Sequence, residues 1–227
     1  MRKSIILILV VLILAVSGYT FIKFKGMVEQ ILPFNCTFYT KKTIVFLGDS
    51  ITAGYGVESN QAFPYLINEY WTENNIPFKA KNEGVSGDTT TDVLSRLDSV
   101  LTDDVYMVFL EVGANDAFAK TDVGVIKDNI KAIVKKIQDR EIKVVLMAMD
   151  LPTVFYLKDA DYVKSFAVIY EEIGKELDVP VMPSLVEKNE NKSELWQEDR
   201  IHPSVKGHEL LAKNVLSFLN KEWIYNK

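Results

Sequence analysis

Apolar residues along this chain alternate between two spacings. Five short stretches predict β-strands: Thr43–Leu47, Phe78–Asn82, Val105–Val112, Lys143–Met149 and Val179–Met182. The third and fourth, VYMVFLEV and KVVLMAM, are almost unbroken apolar runs, the pattern of parallel strands covered on both faces. Between the strands the spacing becomes helical. Val93, Leu94, Leu97, Val100 and Leu101 share one helical face, as do Ile126, Ile130, Ile133, Val134 and Ile137. Phe166, Tyr170, Ile173 and Leu177 define another face, and Leu210, Leu211, Val215 and Phe218 the last. Strands alternating with helices predict an α/β fold with a doubly wound parallel sheet. Ligands of such sheets bind beyond the carboxyl ends of the strands, so chemistry is expected in the residues that follow each strand.

The N-terminal region breaks this rhythm. Arg2 and Lys3 precede IILILVVLILAV, and apolar character continues to Ile22 before Lys23 and Lys25. A helix from Ile5 to Ile22 would be about 27 Å long, close to the ~30 Å of a bilayer core. Residues 1–22 therefore read either as a transmembrane anchor or as a signal peptide, with Ala15-Val16-Ser17 as the cleavage site. Either would deliver the rest of the chain outside the cytoplasm, anchored to a membrane or released. Residues 23–42 read as a tether, 43–222 as one domain, and EKNENKSE (187–194) as a polar surface loop.

Composition narrows the chemistry. The chain has 227 residues, 48% hydrophobic and 25% charged, which suits one α/β domain with a short appendage. Its net charge of −5, with Lys and Arg dispersed, argues against a nucleic-acid partner. Cys36 is the single cysteine, which excludes an internal disulfide, and it belongs to no Cys/His cluster; no metal or cofactor is expected. The histidines are His202 and His208, so any mechanism that needs an imidazole must use one of these.

Candidate chemistry collects at the strand ends. The first strand runs into VFLGDSITAGYG (45–56), which presents Ser50 as a helix cap, part of a phosphate cradle or a nucleophile. The second is followed by GVSGDTTTD, with Gly87 and a capping-box pattern at Thr89 and Asp92. After the third comes Gly113-Ala114-Asn115-Asp116, where Asn115 reads as a turn residue or a polar donor. Beyond the fifth stands Asp199-Arg200-Ile201-His202-Pro203. Two residues separate Asp199 from His202, so a turn brings the carboxylate back to the ring. A carboxylate on Nδ1–H would fix the tautomer and leave Nε2 for Ser50. His208, inside the last helix after Gly207, reads as structural. Together the four ends offer a nucleophile, oxyanion donors, a base and an orienting acid, the parts of an acyl-transfer site. A phosphate loop would need GK[ST], a dinucleotide site G-x-G-x-x-G, and an α/β-hydrolase elbow G-x-S-x-G; none stands at the first strand–helix turn.

These blocks resemble those of the SGNH (GDSL) hydrolases: GDS around Ser50, Gly87 in VSGDT, GAND around Asn115 and DRIHP around His202. The resemblance runs from about Thr43 to about Leu219 and is nearest the branch of arylesterases, acyl thioesterases and lysophospholipases. It implies a flavodoxin-like three-layer αβα fold with a parallel five-stranded sheet, and a metal-independent ester hydrolase. It further implies a Ser50-His202-Asp199 triad, with an oxyanion hole from the Ser50 and Gly87 N–H groups and the Asn115 side chain. Arg200 departs from the family, which often has glycine there. Asp49, Phe118, Val154, Phe155 and Tyr156 are candidate substrate contacts, the last four with Leu151 as an apolar wall for an acyl chain. The implied partner is a small-molecule or lipid ester. The alternatives are an O-acetyl esterase or acetyltransferase on envelope polysaccharide, and a non-catalytic lipid- or glycan-binding module.

Overall fold

The computed structural model describes residues 42–151, 159–184 and 192–220. The chain divides into two units, Met1–Thr40 and Lys41–Lys227. The expected anchor or signal segment (1–22), and the tether up to Thr40, make up the first unit and lie outside the described residues. Lys42 already belongs to a strand. Among the described residues, no helix is long and apolar enough to cross a membrane.

The described strands are β1 (Lys42–Gly48), β2 (Phe78–Gly84), β3 (Val105–Glu111), β4 (Lys143–Met147) and β5 (Val181–Met182). All pair in parallel, in the order β2-β1-β3-β4-β5. That is the flavodoxin-like order, and its direction reverses between β1 and β3. Every residue of β1 after Lys42 is buried, so helices must cover both faces of the sheet. β2, an edge strand of sequence FKAKNEG, is only partly buried.

The described α-helices are α1 (Ser50–Ala53), α2 (Phe63–Glu73), α3 (Thr90–Val100), α4 (Ala114–Phe118), α5 (Val123–Gln138), α6 (Ala160–Leu177) and α7 (Val205–Leu219). α2 packs on α7, while α5 packs on both α3 and α6. The apolar faces read from the spacing turn inward: Val93 and Leu97 of α3, Ile126, Ile130, Ile133, Val134 and Ile137 of α5, and Phe166, Tyr170 and Ile173 of α6 are buried. α2 is the helix that those faces do not include; it buries Phe63, Ile67 and Trp71 against Phe46 and Phe78.

Three strand ends stand level, because Gly48 pairs with Gly84 on one side and Glu111 on the other. No side chain fits at Gly48. A Cβ there would lie 2.3 Å from Thr52 Oγ1 and 2.6 Å from Glu111 Oε2. The switch point between β1 and β3 thus opens onto α1, the loop after β2 and α4, which carry Ser50, Gly87 and Asn115.

Candidate active site

Ser50 is the first residue of α1, and the cap of that short helix is Asp49, whose Oδ1 accepts from Ile51 N at 3.1 Å. Its hydroxyl is therefore not spent on capping. Ser50 Oγ lies 2.9 Å from His202 Nε2, although 152 residues separate them in the chain. His202 Nδ1 lies 2.7 Å from Asp199 Oδ2. Asp199 Oδ1 also accepts from the backbone N–H groups of Ile201 and His202, at 2.9 and 3.0 Å, which closes the turn expected from their spacing. Burial pushes the Asp199 carboxyl up, but the hydrogen bonds from the His202 ring and the two backbone groups outweigh it, and its pKa is lowered. Arg200 has φ +60°, the left-handed region that glycine occupies without strain.

The loop after β2 is pinned from below. Arg96 Nε donates to Asp88 Oδ2 at 2.6 Å, and Arg96 Nη2 donates to Glu83 O and Gly48 O at 2.9 and 3.2 Å. Thr89 and Asp92 form the capping box of α3. Gly87 has φ +92°, and nothing stands within 4 Å of where its Cβ would be, so the loop borders open space. Asn115 lies within α4 and not in a turn. Its Nδ2 donates to Asp88 O at 2.9 Å and contacts Asp49 Oδ2 at 3.4 Å, so the amide sits between the Gly87 loop and the nucleophile turn.

Beneath this layer lies a second, buried one. Asp49 is 1% exposed and Glu111 0%. Glu111 Oε2 accepts from Thr52 Oγ1 at 2.8 Å and from the N–H groups of Asp49 and Thr52, both at 3.3 Å. Burial, and then the charge of Glu111, raise the Asp49 pKa well above the carboxylate range; burial raises Glu111 as well. Asp116, also buried, accepts from Thr90 N and Oγ1 at 2.8 and 2.7 Å and seats the start of α3.

Asp49 is not open to a substrate, because its carboxyl is buried and engaged with Ile51 and Glu111. Phe118 is half-buried against the core, and Leu151 belongs to the core. Val154, Phe155 and Tyr156 lie outside the described residues, as does most of the 187–194 loop. His208 is fully buried in α7 beside Phe63, their ring centroids 6.3 Å apart. Sequence reasoning missed Glu111, Arg96 and Gln197. Of these only Glu111 carried a signal, as the one charge inside the apolar run VYMVFLEV. Among the described residues no group of three or more His, Cys, Asp or Glu is arranged to hold a metal ion.

Residues 46–210 match the GDSL-like lipase/acylhydrolase family. The thioesterase 1/protease 1/lysophospholipase L1 of Escherichia coli (strain K12) is 30% identical over 163 residues, which are 71% of this chain and 76% of that protein. The arylesterase of Vibrio mimicus is 30% identical over 181 residues, 78% of this chain and 88% of its own. Among solved structures, the psychrotrophic esterase EstA from Pseudoalteromonas sp., inhibited by monoethylphosphonate, superposes with a TM-score of 0.75. It is 27% identical, and the match covers 82% of this chain and 100% of that one.

Proposed function

Since this chain belongs to the GDSL-like lipase/acylhydrolase family and is a carboxylic ester hydrolase, we propose that it works through a Ser50-His202-Asp199 triad. Ser50 Oγ attacks the acyl carbon as His202 Nε2 takes its proton. Asp199, held ionised by its hydrogen bonds, receives the Nδ1–H and steadies the imidazolium. The negative charge that develops on the carbonyl oxygen is met by the N–H groups of Ser50 and Gly87 and by Asn115 Nδ2. Ser50 N heads a helix, where N–H groups have no partner within the helix. One Asn115 hydrogen is committed to Asp88 O at 2.9 Å; the other makes only the 3.4 Å contact and is free to turn to the oxyanion. Burial and the neighbouring Glu111 disfavour a charge on Asp49, beneath the point where the oxyanion develops. His202 then protonates the departing alcohol or thiol, and water repeats the cycle to release the acid.

The observation that carries this reading is the unbroken line from Ser50 Oγ through His202 to Asp199, at 2.9 and 2.7 Å. The substrate class is an aryl, thio- or lysophospholipid ester, by likeness to the relatives named above, and the apolar N-terminal segment favours an acyl chain longer than acetyl. The basic and apolar N-terminal segment supports the reading that the domain works outside the cytoplasm, near lipid. p-Nitrophenyl esters from acetyl to palmitoyl, assayed with wild type and Ser50→Ala, test this. A Ser50-dependent rate that peaks beyond acetyl is expected. A rate confined to acetyl would assign the site to O-acetyl removal, and a rate that ignores Ser50 would overturn the triad.

A further inference from the structure

The two hydrogen bonds of His202 leave one motion weakly opposed. They engage its two nitrogens, so they fix the direction of the ring more firmly than its roll about the line joining the two partners. Tyr55 meets the ring from the side, with centroids 4.6 Å apart and planes inclined by 43°. Its backbone N–H donates to Ser50 O at 2.9 Å, which places it one turn beyond the nucleophile. Tyr55 O accepts from Gln197 Nε2 at 2.6 Å, and the same nitrogen donates to Pro203 O at 3.0 Å. Gln197 N in turn donates to His202 O at 2.9 Å. One glutamine thus ties the turn that carries Ser50 to the turn that carries His202. Gly56 leaves room for it, since a Cβ there would lie 2.1 Å from Gln197 Oε1.

We propose that Gln197 and Tyr55 form a strap that positions His202 against Ser50, Gln197 by joining the two turns and Tyr55 by holding the roll of the imidazole. Neither residue touches the reacting atoms in this account; both act through His202. The inference rests on the triad reading above. The strap explains how a hydrogen bond between residues 152 positions apart keeps its geometry at an open site.

The test uses the full chain, with kcat and KM on a p-nitrophenyl ester and the rate of labelling by a fluorophosphonate. Tyr55→Ala and Gln197→Ala should each lower kcat by about tenfold to a hundredfold, the cost of slight misplacement of a reacting group, while KM stays within about twofold. Fluorophosphonate labelling should slow by the same factor, because that reaction also needs Ser50 activated by His202. Tyr55→Phe should match wild type, as the ring and not the hydroxyl is used. Tyr55→Ala keeps the backbone carbonyl that Gln197 binds, so the double variant should lose more than either single one. A raised KM with kcat unchanged for Tyr55→Ala would make the ring a substrate wall and overturn the proposal. So would Tyr55→Phe losses equal to those of Tyr55→Ala. Tyr55 is 54% exposed, so its variants should fold even where Gln197→Ala does not. Ser50→Ala, run alongside, separates the two failures: if it is active the triad is wrong, and if it is inactive while both strap variants are normal only the strap is wrong.

Discussion

Two aspartates flank the nucleophile in opposite surroundings. Asp199 stands at the rim, where its side chain is 39% exposed, and accepts from an imidazole and two backbone N–H groups. Asp49 lies next to Ser50 in sequence but is 1% exposed, with Glu111 as its neighbour. The first carboxyl is held below its ordinary pKa and the second well above it. The same functional group is favoured as an anion that orients a base in one place and disfavoured as an anion in the other. Environment decides the role, and adjacency to the nucleophile does not.

The comparison can be broken by making one substitution in both places. Asp199→Asn should lower kcat by about 10⁴, since an amide favours the wrong imidazole tautomer while leaving the packing intact; a thermal melt like that of wild type would show the loss is chemical. Between the two layers, Asn115→Ala should cost about 10²–10³ in kcat with little change in KM, the usual loss for one oxyanion donor. Asp49→Asn should cost less than about tenfold, the worth of one hydrogen bond, because asparagine keeps the shape and the acceptor for Ile51 N and removes a charge that burial disfavours. A loss at Asp49→Asn as large as that at Asp199→Asn would end the distinction.

His208 sharpens the contrast through stability. Burial first, and then the nearby His202 charge, lower its pKa to about 4. The unfolded state therefore binds more protons than the folded state between the ordinary histidine value of about 6.5 and about 4. Stability is complete above that window and falls as pH drops through it, by up to about 3 kcal/mol. Asp49 and Glu111, raised by burial, act with the opposite sign and gain stability as pH falls. Comparing wild type with His208→Leu cancels their contribution. The variant's melting temperature should fall less between pH 7 and pH 4.5 than that of wild type; equal slopes would place the acid sensitivity elsewhere.

Much of this architecture was legible because parallel strands buried on both faces must be written as apolar runs. VYMVFLEV and KVVLMAM declare β3 and β4 to within two residues. α2 was harder to see, because it buries a narrow stripe at Phe63, Ile67 and Trp71 between exposed Tyr65 and Tyr70. At the candidate site, Ser50, Gly87, Asn115, Asp199 and His202 follow strand ends in short local blocks, which a linear reading can find. The link between Gln197 and Tyr55 could not be found that way, since it spans 142 residues, although Tyr55 itself stands in VFLGDSITAGYG. Glu111 was visible as a charge in an apolar strand, but its partners Asp49 and Thr52 come from a different strand end.

The most direct measurement is the site of covalent capture. Full-length wild type, Ser50→Ala and His202→Ala would be treated with a fluorophosphonate, and the adduct mapped by peptide mass spectrometry. The account predicts one adduct, on Ser50, absent from Ser50→Ala and strongly slowed in His202→Ala, with ester hydrolysis falling by up to about 10⁶ in parallel. An adduct on another residue, or hydrolysis that survives in Ser50→Ala, would contradict it.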